Sequence, residues 1–214
     1  MTRIQDYIRS LTPFLGVSPD RLIPLIEKVR LEFRVYDKGA RILYPGMKAH
    51  NLFLLLNGHV VIEREPYDGV RVSWKVPEGQ PIDLPAMYGL SQSHGLTARA
   101  VDRAEVVSID KAQFRHLYEA EPIILINLIN SLGRAASYPP VISGDNGFDL
   151  WINSLSTTYG GNSPIRVDVK LQRLSEILSI PLDTLKDHLD ERHRRGMIKW
   201  VPEENAMFFR PQRT

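Results

Sequence analysis

The chain has 214 residues, 43% hydrophobic and 24% charged, a composition that excludes a disordered or fibrous protein and leaves room for one large domain or two modest ones. It has no cysteine, which excludes a disulfide scaffold, a thiolate-held iron–sulfur cluster, a Cys-based zinc site and a thiol nucleophile, and makes a cytoplasmic setting the expectation. Lys and Arg (27) nearly balance Asp and Glu (25), and residues 141–214 carry 10 of each sign, so a nucleic-acid contact must rest on local geometry rather than on a bulk field.

At the N-terminus, Met1-Thr2-Arg3-Ile4-Gln5-Asp6-Tyr7 has no apolar run behind its charge, and no stretch approaches the roughly 20 apolar residues of a membrane span, so neither a signal peptide nor a membrane partner is expected. Leu22, Leu25, Ile26 and Val29 recur at helical spacing after Ser18-Pro19-Asp20, a start signal with proline in the first turn. From Leu31 the period shortens. Runs of strand length, Arg41–Tyr44, Leu52–Leu56, His59–Ile62 and Val70–Trp74, alternate with turn signals at Asp37-Lys38-Gly39, Pro45-Gly46, Asn57-Gly58, Asp68-Gly69 and Glu78-Gly79. A further pair, Thr97–Val101 and Ala104–Ile109, closes what reads as a β-roll or sandwich.

Asp110 and Lys111 introduce two helices. The second carries Ile124, Leu125, Leu128, Ile129, Leu132 and Ala135 on a broad apolar stripe, which serves either as packing for the roll or as a subunit interface through Ile124, Leu125, Leu128, Leu132 and Ala135. Tyr138-Pro139-Pro140 should end it, because consecutive prolines remove amide donors and clash with the preceding turn. Ser143-Gly144-Asp145-Asn146-Gly147 reads as a linker, which divides the chain into 1–140 and 141–214. A helix is predicted over 148–159 and ended by Gly160-Gly161-Asn162, then a strand at Ile165–Val167. Two helices follow around Ser179-Ile180-Pro181, the first on Leu171, Leu174, Ile177 and Leu178, the second on Leu182, Leu185, Leu189 and Arg192. Met197–Val201 and Ala206–Phe209 form a hairpin, so the C-terminal part reads as a helix-turn-helix with a wing, the arrangement that presents its second helix to a DNA major groove.

Taken in this order, an α+β chain with a jelly-roll-like effector domain, flanking helices, a long dimerisation helix and a C-terminal winged helix-turn-helix, the sequence resembles the Crp/Fnr family of bacterial transcription regulators over nearly its whole length. The resemblance rests on the glycine turns of Asp37–Gly46 and Leu54–Val60 and on the run Leu174–Leu185 followed by Leu189, Gly196, Met197 and Ile198. It implies a homodimer bound to double-stranded DNA, with RNA polymerase as a further partner.

The family grips a cyclic phosphate with a Gly-Glu-Leu turn and, about ten residues on, an arginine followed by a hydroxyl residue. In this sequence Asp83 falls where the glutamate belongs, His94 where the arginine belongs and Gly95 where the hydroxyl belongs. An imidazole lacks the forked donors of a guanidinium, so the pocket is degenerate, no cyclic nucleotide is expected as cofactor and the effector is unassigned. Arg99, in an alternating strand, is the nearest substitute cation.

The positions of the second helix that the family uses for base edges fall on Leu182, Asp183 and Asp187; with Asp190 and Glu191 they make that helix acidic. Asp183 and Asp187 can accept from cytosine, Thr184 can meet a base or phosphate, and Lys170, Arg173, Lys186, Arg192 and Lys199 are the candidate DNA cations, with Arg194 and Arg195 behind them. An alternative is a Crp-like scaffold that has lost DNA recognition and works through protein contacts. The six histidines are scattered, with His188 and His193 five apart, so no metal site and surface positions are expected. No acid–base pair or phosphate loop suggests an enzyme.

Overall fold

A computed structural model of the chain describes residues 3–135, 147–156 and 163–210. The expected helix stop at Tyr138-Pro139-Pro140, the linker before Gly147 and the stretch 157–162 lie outside the described residues. No helix among them is long and apolar enough to cross a membrane.

The chain forms two units. The first joins Val76–Gly133 to the described part of Met1–Ile62. It opens with α1 (Arg3–Ser10) and α2 (Pro19–Ile26), the latter begun by Pro19 as its sequence predicts. Its main sheet has the order β1-β8-β3-β6, all antiparallel, from β1 (Leu31–Tyr36), β3 (Asn51–Asn57), β6 (Pro81–Ile82) and β8 (Ala104–Asp110). A second pair joins β2 (Arg41–Leu43) to β7 (Thr97–Ala100). The turn after β3 needs a glycine: Gly58 has φ +92° and a Cβ there would lie 2.4 Å from the Arg103 carbonyl oxygen. Asp110 caps α4 (Lys111–Ala120) by accepting from the amides of Ala112 and Gln113. Phe14, Leu22, Leu52, Leu54, Val107, Phe114, Leu117, Ile124 and Leu128 form one buried core between sheet and helices. This is a β-rich, jelly-roll-like body.

The second unit is Glu63–Lys75 with the described part of Arg134–Thr214. Its ranges thus include residues 63–75 as well as residues beyond 140. The hairpin of β4 (Val60–Tyr67) and β5 (Val70–Val76) sends its distal part into the second unit, because β5 pairs antiparallel with β9 (Ile165–Val169), from Val70↔Val169 to Trp74↔Ile165. The sheet continues through β11 (Ala206–Phe209) to β10 (Ile198–Val201). The inward-facing Val70, Val72, Ile165, Val167, Met207, Phe209, Ile198 and Trp200 share a core with α6 (Gly147–Leu155), α7 (Leu171–Leu178) and α8 (Leu182–Arg194). Ser179 adopts the left-handed conformation (φ 54°) between α7 and α8, and the Ser175 hydroxyl donates to the Ile180 carbonyl at 2.6 Å, so the turn is closed by its own side chains.

Candidate functional site

In the roll, α3 (Leu84–Tyr88) begins at Asp83, whose backbone is left-handed (φ 53°). Its carboxylate does not cap that helix. It pairs instead with Nδ1 of His94 at 2.8 Å, and the two side chains are 12% and 1% exposed. His94 is fixed from both ends of its backbone, its amide donating to the Met47 carbonyl and its carbonyl accepting from the Gly46 amide. Nδ1 of His94 faces the Asp83 carboxylate, and its buried Nε2 has no hydrogen-bond partner.

The two residues expected in a degenerate effector pocket thus meet, and Nδ1 of His94 is taken up by the Asp83 carboxylate. Gly95 is exposed with open space around it. Arg99 donates to the Gly39 carbonyl at 2.8 Å and does not join the pair. A carboxylate already sits beside the sole buried imidazole, so a phosphate there would add a second anion with no guanidinium to offset it. The expectation of surface histidines fails at His94, which is 2% exposed, and at the half-buried His188, packed edge-on to Phe148. Among the described residues no three His, Asp or Glu side chains gather as a metal site.

The outer surface of α8 carries Asp183, Lys186, Asp187 and Asp190, all exposed, with Thr184 half-buried. Asp183 is 96% exposed and 3.4 Å from the Lys186 ammonium. Lys170 and Lys199 are exposed as well. Two of the expected DNA cations are committed elsewhere. Arg173 donates to the Asp68 carbonyl at the β4–β5 turn and to Glu176, each at 2.9 Å. Arg192 is engaged more fully: its side chain is 12% exposed, it donates through Nε and Nη2 to both carboxylate oxygens of Asp149 and through Nη1 to the His188 carbonyl, and it lies over the Phe148 ring. A guanidinium held inside in this way is not offered to phosphates. Asp149 draws the Arg192 pKa upward and is itself held below the usual carboxylate range, chiefly by those hydrogen bonds.

Sequence reasoning missed the Asp149–Arg192 pair. Its signal was the position of Arg192 three residues after Leu189 and seven after Leu185, in line with the buried stripe of α8.

The expected subunit stripe also divides. In α5 (Pro122–Ala135), Ile124 and Leu128 are 0% and 3% exposed in the core of their own unit, which turns them away from a second subunit, and the half-buried Leu132 packs against that core. The side chain of Ala135 lies outside the described residues. Leu125 is more outward at 38% exposure, and with it Ile126 (55%) and Ile129 (57%), on the adjoining side of the helix.

Residues 33–121 match the cyclic nucleotide-binding domain family. No curated protein sequence matches the chain. Among solved structures it is similar to the catabolite activator protein of Thermus thermophilus, at 18% identity over 93% of both chains and a TM-score of 0.51. It is also similar to DNR from Pseudomonas aeruginosa, at 19% identity over 98% of this chain and 94% of that one (TM-score 0.49). The sensor domain of the transcriptional regulator DNR from the same organism gives 24% identity, covering 60% of this chain and 90% of that one (TM-score 0.48). At these identities the likeness is one of fold, and the Thermus protein extends it along nearly the whole chain.

Proposed function

We propose that the protein is a non-enzymatic transcription regulator of the Crp/Fnr type, a cytoplasmic homodimer that binds double-stranded DNA and does not respond to cyclic AMP or cyclic GMP. In this reading α7, the Ser179–Pro181 turn, α8 and the β10–β11 hairpin are a winged helix-turn-helix. The observation that carries it is the outer face of α8: a helix packed by Leu185 and Leu189 on one side, with Asp183, Lys186 and Asp187 exposed on the other and an exposed Lys199 on the following hairpin.

The outward apolar residues of α5 supply the subunit contact, and RNA polymerase is the protein partner that a DNA-bound regulator of this kind would meet. The hydrogen-bonded Asp83–His94 pair supports a roll without a cyclic nucleotide. The acidity of α8 favours a second reading, in which the same surface contacts a protein instead of DNA. Selection of bound sequences from random duplex DNA at low salt separates the two. The first reading expects an enriched site whose affinity falls steeply with ionic strength; recovery of unenriched DNA with no salt slope favours the second.

A further inference from the structure

Strand β1 is the end strand of the four-stranded sheet, paired with β8 along all six of its residues in unbroken antiparallel register. Among the described residues nothing pairs with its other edge. An end strand presents unpaired backbone donors and acceptors, and proteins commonly protect such edges with proline, a bulge or charges of one sign. Leu31–Tyr36 has no proline, no glycine and no bulge. Phe33 is 49% exposed and Val35 54% exposed, on the same face of the strand as Leu31, which packs against the core of its unit.

The charges of β1 are of opposite sign, Glu32 and Arg34, and they stand symmetrically about Phe33. We infer that β1 is a homotypic docking edge that pairs antiparallel with β1 of a second copy of this chain, centred on Phe33. In that register residues opposite each other have numbers that sum to a constant. Phe33 faces Phe33 of the partner subunit, Glu32 faces Arg34 of the partner subunit, and Leu31 faces Val35 of the partner subunit. The two-fold axis repeats the last two matches on the other side. Each cross-strand neighbour is then aromatic with aromatic, acid with base, or aliphatic with aliphatic, the pairings that stabilise a sheet.

The Glu32–Arg34 ion pair seen along one strand at 3.2 Å becomes two ion pairs between strands. Like charges at 32 and 34 would repel the second copy, whereas the opposite charges of Glu32 and Arg34 complement it. A pairing of five residues per strand, Leu31–Val35, buries less than the roughly 1,200 Å² of a standard stable interface, so the association is weak and concentration-dependent.

The test uses the full chain carrying Ile126→Asp and Ile129→Asp, which removes association through α5, in sedimentation from micromolar to several hundred micromolar at low salt. The expected result is a doubling of sedimenting mass with rising concentration, accompanied by slowed amide exchange within residues 31–35. Arg34→Glu alone and Glu32→Arg alone each abolish the doubling, because like charges then face each other. Mixed in equal amounts, the two variants regain it, since acidic and basic strands are again opposed. Three results overturn the inference: no doubling at any concentration, doubling that survives both single substitutions, or a mixture that stays unassociated while both variants keep the parental thermal unfolding.

Discussion

Asp149 of α6 and Arg192 of α8 form a two-pronged ion pair under the Phe148 ring, whose centroid lies 5.3 Å from the guanidinium carbon. The pair ties the first helix of the C-terminal unit to the helix that carries its exposed acidic surface.

Replacing Arg192 with Ala is therefore expected to destabilise this unit instead of weakening a DNA contact. A fully buried pair broken on one side costs about 3–5 kcal/mol. The Asp149 side chain is 41% exposed, and solvent relieves it once its partner is gone, so about 1–3 kcal/mol is the expected loss. Urea unfolding measures it. Lys186→Ala, by contrast, should leave the unfolding midpoint in place and lower the salt slope of duplex binding by about one unit. A reversed pattern would return Arg192 to the DNA surface.

The same pair sets a pH dependence. The Asp149 carboxyl is held below its ordinary range by the Arg192 hydrogen bonds, against the opposing effect of desolvation. A carboxyl with a depressed folded pKa contributes its full stabilisation above the unfolded value, about 3.9, and loses it as pH falls through the folded value. Wild-type stability is expected to drop between about pH 4 and pH 2 more steeply than that of Asp149→Asn, whose amide does not titrate in that window. Parallel acid limbs for the two proteins would show that the ion pair contributes nothing to folding.

Much of this architecture was legible in the sequence because periodicity and punctuation act locally. The proline at Pro19, the Asp110 cap, the glycine at Gly58 and the turn at Ser179-Ile180-Pro181 each fix the chain within a few residues. What was not legible depended on partners distant in sequence. A helix apolar on two faces does not reveal which face turns inward, so Ile124 and Leu128 could not be told from Leu125 and Ile129 until the roll was in place. The pairing of β5 with β9 joins segments nearly a hundred residues apart and leaves no local trace, since both strands have ordinary β composition. In the sequence Asp83 and His94 read as two lost ligands. Their hydrogen bond appears only when the left-handed turn at Asp83 brings the carboxylate to the imidazole.

The two faces of α5 should respond differently to substitution. Ile126→Asp and Ile129→Asp place charges on an exposed surface, so each should leave the fold intact and convert a dimer to monomer in sedimentation at micromolar concentration. Ile124→Ala or Leu128→Ala opens a cavity in the core and is expected to cost about 2–5 kcal/mol in urea unfolding. A dimer that survives both outward charges would place the subunit contact elsewhere.

Calorimetry of the wild-type protein with cyclic AMP or cyclic GMP is expected to show no heat of binding at micromolar concentrations, because the Asp83 carboxylate already occupies the imidazole. Asp83→Ala does not create a phosphate site either. It leaves His94, 1% exposed on its side chain, with two unpartnered nitrogens, and a loss of about 1–3 kcal/mol in stability is expected from that unmade bond. Micromolar binding to the wild type would point to Arg99 leaving the Gly39 carbonyl.

The final prediction concerns the carboxylates of α8. Asp183 stands in the first turn of the helix, 96% exposed, with the Lys186 ammonium 3.4 Å away as its neighbour. Next to phosphates such a group is repelled, whereas against the amino group of a cytosine it accepts a hydrogen bond. If α8 lies in a major groove and reads bases there, Asp183→Ala should relax preference at one base pair, losing about 1–3 kcal/mol of discrimination while affinity for unrelated duplexes changes little. If the carboxylate is only a repulsive bystander, Asp183→Ala and Asp187→Ala should tighten binding to every duplex by a similar factor, and the tightening should fade as salt screens the charge. Affinities for the selected site and for a scrambled duplex, each measured at two salt concentrations, separate the outcomes. Uniform, salt-sensitive tightening would remove base reading from α8 and leave Lys170, Lys186 and Lys199 to hold the backbone alone.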